Sequence, residues 1–376
     1  MSDRQLDTLL EKEPFSLQEE EKSRILLAIM KEQLVHARNN NRHIRCFLEK
    51  QHVDIRRIAS LEAVPPMPVQ MFKYFDLATC PADQIVRVLR SSGTTGQTPS
   101  RVPLSKRTTV RQVKALNAIL SGYLGKKRRI FLVIDHKGIN DPRLEVTART
   151  AGVRGLSIYS RRIHYLLREN GGKLELNTPE IERVIDEYEG QEVYVFGFTY
   201  IIWSVFYQQI LEKSVRFKFG DVRLFHSGGW KKLKEQRVSK DHFSDEIAKI
   251  FGAPESQVYD FYGMAEQTGI IFVDCEVGNK HVPNFAQVIV RDLQTLQPAG
   301  LSEPGLIDVM SVLSDSYYCQ SILTEDIGFI VGIDDCPCGR KGRYFRFKSR
   351  MEKVEVRGCG DTFREQPNGQ VSSTQR

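Results

Sequence analysis

The chain has 376 residues, of which 41% are apolar and 27% charged, a composition that excludes disordered, fibrous and small disulfide-stapled proteins. Its 54 basic and 47 acidic residues leave a net charge of +7, which suits an anionic small molecule or an acidic partner face and does not single out nucleic acid. Seven cysteines, an odd number, argue for reduced thiols and a cytoplasmic location.

The charged start carries no secretory signal, and the longest uncharged segment, Val193 to Tyr207, is too short for the ~20 residues of a membrane span. Ile25, Leu26, Ile29, Met30 and Leu34 recur at helical spacing and predict an amphipathic helix from Ser16 to Arg38, with Ser16-Leu17-Gln18-Glu19 as a capping box. Residues 39–60 read as a second, polar helix; Pro65, Pro66 and Pro68 then impose an extended connection.

Short β-branched runs follow at Ile85–Leu89, Ile130–Ile134, Glu192–Phe196, Val222–Phe225, Gln257–Tyr259, Ile270–Val273, Gln287–Val290 and Leu306–Val309. Helix-like stretches at 107–121, 179–189, 199–213 and 240–251 alternate with several of them. The alternation predicts an α/β domain with a mainly parallel sheet, and the closer spacing after 270 a small antiparallel addition.

The strongest local signal is Arg90-Ser91-Ser92-Gly93-Thr94-Thr95-Gly96-Gln97-Thr98-Pro99, between a predicted strand and a predicted helix. Glycines let backbone N–H groups turn toward phosphate oxygens, and the hydroxyls add donors. The NTPase pattern GxxxxGK[ST] is absent. The alternative is a plain Ser/Thr/Gly surface loop.

Further segments in the same order give the loop a context. His226-Ser227-Gly228-Gly229-Trp230, Asp260-Phe261-Tyr262-Gly263-Met264-Ala265-Glu266-Gln267, Thr324-Glu325-Asp326-Ile327-Gly328 and Ser349 to Gly358 resemble, together with the loop, the motifs of the adenylate-forming enzyme superfamily. The resemblance implies that Ser91, Ser92, Gly93, Thr94, Thr95 and Gly96 hold the phosphates of ATP, and that Gly228 and Gly229 line the adenine and acyl pocket. Tyr262 and Gly263 would meet the adenine, Glu266 would hold Mg²⁺, Asp326 the ribose hydroxyls, and Arg350 the ribose or phosphate oxygens.

The sequence departs from that pattern. Ala265 stands where a threonine is usual, Glu352 replaces the hinge aspartate, and only Cys359 to Arg376 follow Gly358, so the family's mobile domain with its catalytic lysine is expected to have no counterpart. The expected architecture is therefore the large α/β domain of an adenylate-forming enzyme, with parallel-rich sheets flanked by helices and the C-terminal domain reduced to a tail. Its divisions are an N-terminal helical segment packed on the main domain (1–64), the adenylate-forming domain (65–348), and a hinge with its tail (349–376).

A shortened form of this kind is similar to the acyl-protein synthetase of bacterial bioluminescence, the LuxE family. The resemblance implies a ligase that activates a fatty acid as acyl-AMP, moves the acyl group to a cysteine near its C-terminus, and delivers it to an acyl-CoA-reductase-like or carrier partner. Cys359 is the thiol in that place, and Lys353, Arg357 and Arg364 would favour its thiolate; the alternative is an incidental tail cysteine. Two other functional readings stay open: a CoA- or amide-forming ligase, and a catalytically weak scaffold subunit.

Cys275, His281, Cys336 and Cys338 form a candidate structural Zn²⁺ set of three sulfurs and one imidazole, of a kind that related phenylacetate–CoA ligases carry. The alternative is a turn with reduced thiols. Cys46, Cys80 and Cys319 read as buried or half-buried residues, His164 and His226 as structural histidines, and Gly197–Phe206 as core or as the lining of an acyl tunnel.

Overall fold

The computed structural model describes residues 2–90, 99–141, 148–229 and 238–351. Three helices come first: α1 (Ser2–Glu11), α2 (Glu19–Asn40) and α3 (Arg42–Lys50). The apolar stripe of α2 is buried as its spacing predicts, with Leu26, Ile29, Met30 and Leu34 in the core. The capping box does not form. Gln18 is the N-cap and makes no side-chain bond, Ser16 Oγ donates to the Glu13 carbonyl, and the Glu19 N–H donates at 3.0 Å to the carboxylate of Asp334. A distant carboxylate thus does the work expected of a local hydroxyl. The second predicted helix is cut to α3, capped by Asn41, whose side chain accepts from the N–H groups of His43 and Ile44.

After the prolines come β1 (Met67–Pro68) and α4 (Met71–Tyr74), then the antiparallel pair β2 (Ile85–Arg90) and β3 (Arg101–Ser105). The polypeptide continues through α5 (Lys106–Leu124), β4 (Arg129–Ile134), α6 (Ala148–Leu156) and β5 (Ser160–Tyr165). A small hairpin, β6 (Leu167–Asn170) and β7 (Lys173–Leu176), leads to α7 (Thr178–Tyr188) and β8 (Glu192–Phe198). Helical residues 199–212 comprise α8 (Thr199–Ile201), a π-helical stretch Ile202–Tyr207, and α9 (Gln208–Glu212). Then come β9 (Asp221–Ser227), α10 (Lys240–Phe251), β10 (Val258–Tyr262) and the short β11 (Phe272–Val273).

The first large sheet has the order β11-β10-β9-β8-β4-β5, parallel except for β11. Alternate residues of β4 enter two different cores. Phe131 and Val133 pack with the side that holds Ile119 and Leu120 of α5, while Ile130, Leu132 and Ile134 pack with Val184 of α7 and Phe243 of α10. Helices therefore cover both faces, which is why β4 and β8 read as continuous apolar runs. The carboxyl ends of β8, β9 and β10 lie side by side on one edge, the place where such sheets bind ligands.

The second large sheet is antiparallel. It consists of β12 (Lys280–His281), β13 (Ala286–Arg291), β14 (Gly305–Ser311), β15 (Ile322–Ile333) and β16 (Arg343–Arg350), in the order β12-β16-β15-β14-β13, with β1 parallel to β15. It is larger than the small addition expected from sequence, because the long β15 and β16 lack a continuous β-branched run. Cys46, expected inside, is exposed; Cys80 is half-buried and Cys319 buried. No helix among the described residues is long and apolar enough to cross a membrane.

Candidate nucleotide site and thiol–imidazole cluster

Three predicted site residues from three strands meet at one point. Tyr262 closes β10 of the parallel sheet, whereas Asp326 and Arg350 are register partners on β15 and β16 of the antiparallel sheet. The Tyr262 hydroxyl donates to Asp326 Oδ2 at 2.8 Å, and Arg350 Nε donates to Asp326 Oδ1 at 2.8 Å. Arg350 Nη2 adds a longer bond to Oδ2 at 3.5 Å; a carboxylate offers about four lone-pair sites, so these three bonds still leave acceptor capacity for a ligand hydroxyl. Asp326 is buried, while the Arg350 side chain is 73% exposed and open to a ligand from solvent.

The Tyr262 ring stacks at 5.9 Å on Phe347 and meets Phe345 edge-on at 6.2 Å. Burial, reinforced by the Asp326 charge, holds its phenol well above the usual range, so it stays a donor at neutral pH. Gly263 follows directly.

Glu266 lies in the single turn Ala265–Gln267 and is buried. Burial drives its carboxyl above the usual range, against a hydrogen bond with Ser100 and the charges of Lys73 and Arg350. Gln267 pins the turn: its amide donates to the carbonyls of Val309 and Cys319 at 3.1 and 2.8 Å, and its carbonyl accepts from Ser311 at 2.7 Å. The motif contained Gln267, but only its tertiary partners reveal that it holds the turn.

Gly228 and Gly229 directly follow β9, whose neighbours are β8 and β10. Gly228 has φ +83°, and a Cβ there would stand 2.7 Å from the Phe198 ring; at Gly229 a Cβ would meet nothing within 4 Å among the described residues. Among those residues, backbone and packing demand a glycine at 228 and not at 229. His226, just before them, is buried with Nδ1 2.9 Å from Thr199 Oγ1, and burial pushes its pKa down to about 4 against the pull of Asp260. It is neutral at pH 7. His164 Nδ1 lies 2.6 Å from Glu180 Oε1. Residues 91–96 of the phosphate loop and Cys359 lie outside the described residues.

The fold also gathers Cys275, His281, Cys336 and Cys338, with their four donor atoms all within 4.8 Å of one another. Cys275 follows β11, His281 sits on β12, and the other two lie in the loop joining β15 to β16. The pairing of β12 with β16 folds that loop back onto the turn between β11 and β12. Cys275 Sγ is 3.9 Å from Cys336 Sγ, and Cys338 Sγ is 3.2 Å from His281 Nε2. Edges of about 3.3–3.8 Å are what a tetrahedron with Zn–S and Zn–N bonds of about 2.3 and 2.0 Å requires. Burial pushes the Cys275 thiol up to about 12 and the His281 imidazole down to about 4; both groups are neutral at pH 7 without a cation between them. Donor set, spacing and burial fit a four-coordinate metal ion.

Comparison with known proteins bears on the fold and the enzyme class. The family model described as acyl-protein synthetase, LuxE, matches residues 1–367. The long-chain-fatty-acid–luciferin-component ligase of Aliivibrio fischeri is 23% identical over 352 residues, covering 90% of this chain and 88% of that protein. The ligase of the same name from Vibrio harveyi is 24% identical over 329 residues, covering 85% and 82%. Among solved structures, 2-hydroxyisobutyryl-CoA ligase with 2-HIB-AMP, in the postadenylation state, superposes with a TM-score of 0.68 at 15% identity, covering 89% of this chain and 69% of that one. The expected fold is thus that of the adenylate-forming ligases, and the expected enzyme class is an ATP-dependent acyl-activating ligase. On the match over nearly its whole length, this chain belongs to the LuxE acyl-protein synthetase family.

Proposed function

We propose that this protein activates a long-chain fatty acid with ATP and carries the acyl group as a thioester on Cys359. The observation that supports this most directly is the convergence of Tyr262, Asp326 and Arg350, at the carboxyl end of β10, into a site with a buried acceptor and an open cation. In the first step the carboxylate oxygen of the acid bonds to the α-phosphorus of ATP and pyrophosphate leaves. Asp326 accepts the ribose hydroxyls, Tyr262 packs on the adenine, and Arg350 faces the ribose or phosphate oxygens. Residues 91–96 donate to the phosphates, and Gly228 and Gly229 leave room for the acyl-adenylate. Charge stabilisation and positioning supply most of the rate in such transfers.

Glu266 would hold Mg²⁺, whose chemistry is to neutralise charge on the polyphosphate. In the second step the Cys359 sulfur bonds to the acyl carbon, AMP leaves, and the thiol proton passes to solvent. The four-donor cluster, closed by protein ligands, would hold a structural Zn²⁺. The thioester would then be delivered, in the cytoplasm, to an acyl-CoA-reductase-like or carrier protein.

Fatty-acid-dependent exchange of pyrophosphate into ATP tests the first step; no exchange with any long-chain acid overturns it. Labelling with radioactive fatty acid and ATP tests the second. Cys359→Ser is expected to retain exchange and lose the label, and equal labelling of both proteins rules Cys359 out as acceptor.

A further inference from the structure

Between the nucleotide site and the cysteine cluster lies a set of opposed charges that neither uses. At its centre is Lys280, only 4% exposed, on β12 immediately before His281. Its ammonium donates to Asp260 Oδ2 at 2.8 Å, to the Asp260 carbonyl at 3.1 Å and to Asp274 Oδ1 at 3.2 Å. Three protons thus meet three acceptors, and two of the three belong to Asp260. Asp274 immediately precedes Cys275; its N–H donates to the Asp260 carbonyl at 2.9 Å, and its second oxygen stands 2.7 Å from Lys240 Nζ on α10. Asp260 lies on β10 two residues before Tyr262.

Each ligand that the segment 275–281 gives to the cluster is therefore the chain neighbour of a residue gripping β10. Cys275 adjoins Asp274, and His281 adjoins Lys280. A metal that fixes the two ligands also fixes where the ammonium and the carboxylate sit. A buried charge pair holds its geometry tightly because moving one partner leaves the other desolvated and unpaired.

We propose that Lys280 is a positioning residue that carries the placement of the metal cluster to the Tyr262 end of β10, so that ATP affinity depends on the metal. The proposal rests on the cluster holding zinc. It goes beyond a merely structural metal by naming the residue through which the nucleotide site feels it.

The test compares the parent, Lys280→Met and the charge-balanced double variant Asp260→Asn/Lys280→Met, which leaves the Asp274–Lys240 pair in place, each with zinc and after chelation. The readouts are ATP-dependent pyrophosphate exchange, thermal stability, and hydrogen exchange of the 260–262 amides. Lys280→Met is expected to keep its zinc and raise KM for ATP on the order of tenfold with little change in kcat. The double variant, free of the uncompensated carboxylate, is expected to recover stability but not KM; it also serves should the single variant fail to fold. Chelation is expected to raise KM and deprotect 260–262 in the parent, and to add nothing in Lys280→Met.

Independent, multiplying effects of chelation and substitution would overturn the proposal, as would an unchanged KM in Lys280→Met or a double variant that regains KM along with stability. If purified protein neither contains nor takes up zinc, the cluster reading and the transmission fall together. The KM of Lys280→Met in that case still decides whether Lys280 positions β10.

Discussion

The Tyr262 hydroxyl donates to the Asp326 carboxylate at 2.8 Å across the junction of two sheets. Each residue thereby fixes the other: the phenol is oriented with its ring against Phe347, and the carboxylate is held with lone pairs to spare. Arg350 completes the arrangement from the neighbouring strand.

From this follows a graded loss of ATP binding. Asp326→Ala removes the acceptor for the ribose and leaves Tyr262 and Arg350 without their partner; pyrophosphate exchange at subsaturating ATP is expected to fall by about a hundredfold or more. Tyr262→Phe keeps the ring and loses one hydrogen bond, so a rise in KM for ATP of about tenfold at most is expected, with kcat nearly unchanged. Equal effects of the two substitutions would contradict the assigned roles.

Glu266 offers a test by pH and metal. Its carboxyl is raised in the folded state by burial, so the folded state favours the protonated form. Stability is then fully present below the unfolded carboxyl pKa and is lost as pH rises through the higher folded value. Glu266→Gln, which cannot ionise, is expected to melt higher than the parent at pH 7.5 and close to it in acid. Added Mg²⁺ with ATP should stabilise the parent more than ATP alone does, and Mg²⁺ should add nothing to ATP in the variant. A variant that melts lower at neutral pH, or gains equally from Mg²⁺ and ATP, contradicts the assignment.

The two glycines that follow β9 separate backbone need from proximity to the site. Gly228→Ala places a methyl 2.7 Å from the Phe198 ring at φ +83°; a cost of about 1–3 kcal/mol in denaturant unfolding is expected. Gly229→Ala meets no neighbouring atom among the described residues and is expected to change stability by less than about 0.5 kcal/mol.

His226 sets an acid limit. Its folded pKa of about 4 lies below the ordinary 6.5 because it is buried. The unfolded chain therefore binds the extra proton first, and stability present above pH 6.5 is lost as pH falls toward 4. That loss amounts to about 3 kcal/mol at most. His226→Gln should flatten the decline of melting temperature over this interval; an unchanged slope would assign the acid sensitivity to other groups.

The cysteine cluster predicts about one zinc per chain in purified protein, measured by elemental analysis. Cys336→Ser is expected to lose the metal and lower the melting temperature. Chelation should make the half-buried Cys338 reactive toward a thiol reagent at a rate the loaded protein does not show.

What the sequence determined was local: the apolar runs of β4, β8 and β9 and the periodic helices α5, α7 and α10. Burial on both faces or along one stripe leaves a continuous or 3.6-residue pattern that can be read without coordinates. The short motifs around Tyr262, Asp326 and Arg350 were legible as resemblances for the same reason, since each lies within one strand and the turn after it.

Only the tertiary structure decided which of these segments meet. The α2 N-terminus is satisfied by Asp334 rather than by Ser16, since a carboxylate brought in by packing can replace a local cap. Residues 274–281 lie opposite 336–338 because β12 pairs with β16, not because of any spacing between the cysteines. Lys280 gave no signal at all. A lysine in a two-residue strand reads as a solvated surface group, and its burial becomes intelligible only once Asp260 and Asp274, from separate strands, are placed around its ammonium. Sequence periodicity records which face of an element avoids water; which charges share a dry interior depends on how those elements pack, and the packing was settled by the whole chain at once.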